Sequence, residues 1–134
     1  MNALTLVHNA IKAYVGEGGV CIDATAGRGY DTAFLCELVG KNGSVTDVQQ
    51  DAIDSTKNLL ESKGLCARLV LDSHANMANY LDEESVDCIV FNLGYLPKGD
   101  HSVYTHFEST KAAIEAGLKL LKRGGLMCVS VYYG

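Results

Sequence analysis

Short apolar runs alternate with helical stripes along the whole of this chain, and that alternation limits what it can fold into. Runs over 20–24, 44–48, 67–71, 86–92 and 126–133 have the length and composition of strands. The stripe Leu4, Leu6, Val7, Ile11, Tyr14 and Val15 predicts a first helix, ended by Gly16, Gly18 and Gly19. A second helix is expected over 32–39, closed by Gly40 and the turn at Lys41, Asn42 and Gly43. Ala52, Ile53, Thr56, Leu59 and Leu60 predict a third, stopped at Gly64, and residues 77–81 a short helical piece. Residues 94–106 read as a loop containing the single proline, Pro97. A long helix then runs through Ala112, Ala113, Ala116, Leu118, Leu120 and Leu121 to Gly124 and Gly125. Strict alternation predicts an α/β fold, a doubly wound and mostly parallel sheet with helices on both faces. The run over 86–92 is the most apolar, which places it centrally. At 134 residues a single domain, 1–134, is expected.

In such sheets a ligand sits beyond the carboxyl ends of the strands, at the point where strand order reverses. The residues that carry chemistry fall at those ends. The first strand leads to Gly27 and Gly29, the second to Asp47, the third to Asp72 and His74, and the fourth to Asn92. The segment Asp23-Ala24-Thr25-Ala26-Gly27-Arg28-Gly29-Tyr30-Asp31-Thr32 is a strand end, a glycine turn and a helix start. Glycine lets a ligand approach the backbone, and the first turn of a helix presents unpaired N–H groups to the same place. Thr32 stands where a dinucleotide fingerprint needs its third glycine, and the Gly-Lys-Ser/Thr of a phosphate loop is absent. Asp23 sits badly beside a pyrophosphate and suits a cation; Asp31 adds a second carboxylate. S-adenosylmethionine, with its sulfonium and ammonium, fits this pattern. Asp47 is placed to accept from ribose hydroxyls. A nicotinamide or flavin nucleotide, or a turn that only packs helix on strand, are the alternatives.

The fourth strand runs into Phe91-Asn92-Leu93-Gly94-Tyr95-Leu96-Pro97. An Asn-x-x-Tyr here resembles the Asn-Pro-Pro-Tyr signature of amino-methyltransferases. Transfer from sulfur to nitrogen is an in-line displacement, so the amine lone pair must point at the methyl carbon. Asn92 can accept the amine's hydrogens and aim that lone pair, and Tyr95 can stack on the base. Positioning of this kind can contribute roughly 7–11 kcal/mol.

With both motifs the chain resembles the small bacterial methyltransferases that convert 5-aminomethyl-2-thiouridine at the tRNA wobble position, many labelled rRNA methylases. The matching pieces are Asp23-Ala24-Thr25, Gly29-x-Asp31-Thr32, Asp47-Val48-Gln49, Ser73-His74, the segment from Phe91 to Pro97, Gly99-Asp100-His101-Ser102 with Thr105, and Val131-Tyr132-Tyr133-Gly134. The resemblance implies a Rossmann-like fold, S-adenosylmethionine as cofactor and the tRNA anticodon stem-loop as partner. It implies a cofactor pocket lined by Asp23, Gly27, Arg28, Gly29, Asp31, Thr32, Asp47, Gln49, His74 and Asn92. Asn92 and Tyr95 would face the amine, and Leu93, Gly94, Lys98, Asp100, His101, Ser102 and Thr105 the anticodon nucleotide. Arg28 stands where the family usually has Asn. Family members continue past the fifth strand, so the sheet is expected to lack their C-terminal strands. Methylation of an rRNA base, or a non-catalytic Rossmann-type nucleotide-binding module, are the competing readings.

A net charge of −5 argues against binding nucleic acid by bulk electrostatics, though Lys119, Lys122 and Arg123 cluster locally. Five scattered cysteines without a CxxC pair read as reduced thiols filling a core. His101 and His106, with Asp100, match no common zinc spacing, so no metal is expected. With neither a signal-peptide pattern nor a membrane-length apolar run, a cytoplasmic protein is expected. The apolar edge of the fifth strand suggests a homodimer.

Overall fold

Parallel strands need crossovers long enough to carry a helix, and the alternating pattern supplies them. The computed structural model describes residues 3–25, 29–49, 53–93 and 101–131, with side chains described over 5–25, 29–49, 53–93 and 108–130. The elements are α1 (Ala3–Tyr14), β1 (Val20–Asp23), α2 (Tyr30–Val39), β2 (Ser44–Gln49), α3 (Ile53–Ser62), β3 (Arg68–Leu71), a 3-10 helix (His74–Asn79), β4 (Val86–Leu93), α4 (His101–Leu120) and β5 (Leu121–Val131). The sheet order is β3-β2-β1-β4-β5, and every pairing is parallel. From β1 the chain winds outward through β2 and β3, then crosses back to β4 and β5. The reversal lies between β1 and β4.

Alternation along each strand sends side chains to two separate cores. Ile11, Val15, Cys21, Leu35, Val39, Val45, Leu60, Cys88 and Val90 pack on the face covered by α1, α2 and α3. Ile22, Val48, Met77, Ile89, Phe91, Ala113 and Leu120 pack on the other, under α4 and the 3-10 helix. β4, buried along most of its length, is interior as its composition predicts, but β1 holds the middle of the sheet.

Four expectations are corrected. The first-helix stripe is too wide: Ile11 and Val15 are buried, whereas Leu6 and Tyr14 are exposed. The short helical piece is a 3-10 helix beginning at His74, three residues before the first apolar side chain that signalled it, because Ser73 caps it by accepting from the Ala75 N–H. The expected loop over 94–106 gives way to helix from His101, so His101, Ser102 and Thr105 lie on the opening turns of α4. β5 begins at Leu121, five residues early. Leu121 pairs with Val86 and Leu126 with Cys88, so residues 122–125 form a bulge, with Gly124 at φ 84°. There Lys122 sits 3.3 Å from Asp87, an exposed ion pair in place of a helix-end cation. The cysteines are free: Cys21, Cys36 and Cys88 are buried, and Cys66 is exposed. No helix among the described residues is long and apolar enough to cross a membrane.

Candidate active site

The register of the sheet brings three of the expected residues together. Asp23 is opposite Asp47 across β1 and β2, and opposite Val90 across β1 and β4. Two residues beyond Val90, Asn92 therefore shares a sheet face with both carboxylates. That face is the one covered by α1, α2 and α3.

Asp23 is 5% exposed. Its Oδ1 accepts from the Thr25 hydroxyl (3.2 Å) and backbone N–H (3.3 Å), and its Oδ2 accepts from the Thr32 hydroxyl (2.7 Å). Burial nevertheless pushes its carboxyl up to about 6, and nearby Asp31 adds to the rise. Asp47 is 1% exposed. Gln49 Nε2 donates to its Oδ2 at 2.5 Å and also reaches Thr56 Oγ1 at 3.1 Å. Burial, then repulsion by Asp23, raises the Asp47 carboxyl to about 7. Asp47 Oδ1 is buried with no hydrogen-bond partner among the described residues. A buried oxygen left in that state is costly.

Thr25 ties β1 to β4 at the reversal point. Its hydroxyl accepts from the Asn92 N–H at 3.0 Å while donating to Asp23. Asn92 Nδ2 donates to Asp31 Oδ2 at 3.3 Å, and Asp31 Oδ1 accepts from His8 Nε2 at 3.0 Å. A carboxylate only accepts, so both partners must be the donors. His74 Nδ1 lies 2.7 Å from the Ala24 carbonyl, which puts its proton on that nitrogen. Its ring stands edge-on to Phe91, with centroids 5.8 Å apart.

Gly29 takes a left-handed turn at φ 95° just before α2. A Cβ there would come within 2.9 Å of Thr56 Cα, so the space it leaves is filled by α3. Close helix packing therefore requires this glycine on its own account.

Of the expected cofactor residues, Asp23, Asp31, Asp47 and Asn92 converge. Thr32 and Gln49 are buried and brace the two aspartates. Leu93 packs with Phe91 on the sheet face opposite Asn92. Asp72, also at a strand tip, serves its own turn instead, accepting from Tyr80 Oη (2.6 Å), Asn76 Nδ2 (2.9 Å) and the Ser73 N–H (2.7 Å). Gly27, Arg28, Gly94, Tyr95, Lys98 and Asp100 lie outside the described residues, as do the side chains of His101, Ser102, Thr105 and His106. Sequence reasoning missed His8 and the bridging role of Thr25. Thr25 could have been found as the hydroxyl two residues past Asp23. His8 carries no local signal, since its partner is 23 residues away.

A family model described as "Putative rRNA methylase" matches residues 44–134. The chain is 35% identical over 145 residues to the tRNA (mnm(5)s(2)U34)-methyltransferase, chloroplastic, of Arabidopsis thaliana, covering 98% of this chain and 53% of that protein. It thus spans about half the length of that curated relative. Among solved structures, a putative rRNA-methylase from Clostridium thermocellum superposes with TM-score 0.89 at 43% identity, over 100% of this chain and 74% of the other. A putative methyltransferase from Streptococcus mutans in complex with SAH superposes with TM-score 0.79 at 32% identity, over 95% and 72% of the two chains.

Proposed function

This chain belongs to the family described as "Putative rRNA methylase", and from that premise we propose that residues 1–134 form an S-adenosylmethionine-dependent methyltransferase domain acting on an amine of RNA. The finer reading is the amine of 5-aminomethyl-2-thiouridine at the tRNA wobble position, supported by the name of the Arabidopsis relative. One observation carries the cofactor reading: Asp23 and Asp47 lie side by side on β1 and β2, Asp31 stands near Asp23 on the first turn of α2, and Asp47 Oδ1 is buried with no hydrogen-bond partner among the described residues. Carboxylates crowded in a low-dielectric site favour a cationic ligand, and the orphaned oxygen favours one that also carries hydroxyls. A pyrophosphate would meet repulsion from all three.

When bound, the cofactor would supply an electrophilic methyl on a sulfonium sulfur, which keeps the carbon–sulfur bonding pair as the methyl is transferred. The chain's own residues hold and aim. Asp47 would accept from a ribose hydroxyl, and Asp23, fixed by Thr25 and Thr32, would lend negative charge to the cationic end. Asn92 gives its N–H2 to Asp31, which leaves Oδ1 to accept from the substrate amine. The amine attacks as its neutral form and loses its proton to solvent, so no strong base is needed. Most of the acceleration is then positional.

Mass analysis of wobble uridines, after incubation of 5-aminomethyl-bearing tRNA with the chain and S-adenosylmethionine, tests this. Asn92→Ala should lower methyl transfer at least about 100-fold while cofactor affinity changes little. Full activity in that variant would remove Asn92 from the reaction. The family description favours rRNA as the second reading, and methyl label entering rRNA but not tRNA would select it. Cofactor binding with no transfer to either RNA would point to a nucleotide-binding module.

A further inference from the structure

The geometry points to His8, on the first helix, as a positioning residue that sets the orientation of the Asn92 amide through Asp31. The inference rests on the methyltransferase reading above and extends it to a residue outside the strand tips. His8 Nε2 lies 3.0 Å from Asp31 Oδ1, and Asn92 Nδ2 lies 3.3 Å from the other oxygen of the same carboxylate. The carboxylate is therefore shared between α1 and the tip of β4, one oxygen to each.

The geometry of each member is constrained. The His8 ring stacks face to face on Phe34, with centroids 3.8 Å apart and planes within 1°. The Lys12 ammonium, one helical turn on, lies 5.8 Å from the centre of the Phe34 ring. His8 and Asp31 are only 20% and 14% exposed, so water competes weakly for their hydrogen bond. The Asn92 backbone is fixed independently by its N–H bond to Thr25 Oγ1. What that bond leaves undecided is which end of the amide faces the substrate. An amide has one accepting and one donating end, and a carboxylate can only accept. Asp31 therefore takes the N–H2 end and leaves the carbonyl oxygen to face an amine. An amide turned the other way would present N–H groups to the amine's own hydrogens and leave its lone pair unaimed. Asp31 can enforce the choice only while its own rotamer is held, and His8 holds it.

The test is His8→Ala beside His8→Gln, the latter keeping an N–H donor of similar reach. Three quantities are measured on the full chain: kcat and KM for RNA methylation, the Kd for S-adenosylmethionine, and the Asn92 side-chain amide resonances. Loss of alignment predicts a kcat about tenfold lower in His8→Ala, KM and Kd within about twofold, a shifted Asn92 amide signal, and substantial recovery of kcat in His8→Gln. An unchanged kcat with an unmoved amide signal overturns the inference. So does an equal loss of Kd and Tm without rescue, since that describes a residue that only supports the fold. If the unaltered chain methylates neither RNA, the methyltransferase reading fails by itself. The Asn92 resonances still decide the His8 link, which stands if His8→Ala moves them and falls if it does not.

Discussion

Asp47 and Asp72 both lie toward the carboxyl ends of neighbouring strands, Asp47 level with Leu69 and Asp72 three residues further on, and their surroundings are opposite. Asp72, just past β3, is met by a phenol, an amide and a backbone N–H, and these partners, Tyr80 first, hold its carboxyl below the usual range. Asp47, within β2, is buried beside a second carboxylate, raised to about 7, and has one oxygen unpartnered among the described residues. The first carboxylate belongs to its turn. The second is costly to the fold. Strained or unsatisfied groups held by a rigid frame gather where a ligand binds. The contrast is between a carboxylate that builds a turn and one that the proposed function assigns to the ligand.

The largest way to sharpen this contrast is pH. Asp23 and Asp47 have carboxyls near 6 and 7 in the fold, against an ordinary value of 3.8. Between about pH 4 and 7 the folded chain holds protons that the unfolded chain has released, so stability falls as pH rises through that window and levels off above it. The fall is on the order of several kcal/mol, at about 1.4 kcal/mol for each unit by which burial raises a carboxyl. Chemical denaturation at pH 4.5 and pH 8 measures it. Asp47→Asn should flatten the dependence and raise Tm at pH 8, whereas a steeper fall in that variant would contradict the burial argument.

The next effect is on ligand binding. Asp47→Asn should weaken S-adenosylmethionine about thirtyfold in a calorimetric titration, the loss expected for one charge-assisted hydrogen bond. The smallest effect is the control. Asp72→Ala should lower Tm slightly and leave the cofactor Kd unchanged; equal losses of affinity in the two variants would erase the distinction between them.

The sequence revealed the frame more fully than the site's supports. Strand runs and helical stripes are local, and tertiary packing agreed with them for β1, β2, β4 and α2. The start of α4 escaped because His101, Ser102, Val103, Tyr104 and Thr105 include β-branched, aromatic and polar residues of modest helix propensity, with no apolar stripe. The start of β5 escaped because Lys122, Arg123, Gly124 and Gly125 look like a helix end, and only the pairing of Leu121 with Val86 shows a bulge. Asp23, Asp47 and Asn92 were legible because sheet topology sends strand tips to one place, and Asp31 because it opens the helix that follows the first of them. His8 was not, since its role arises from contact between α1 and α2. Asp72 was read with the tips, and only its three partners show that it serves its turn.

The central claim is that the tips of β1, β2 and β4 hold a cationic nucleoside rather than a dinucleotide. Titration calorimetry of the chain with S-adenosylmethionine and, separately, with NAD tests it most directly. Saturable binding of S-adenosylmethionine with no measurable heat from NAD is the predicted result. Tighter binding of NAD would contradict it.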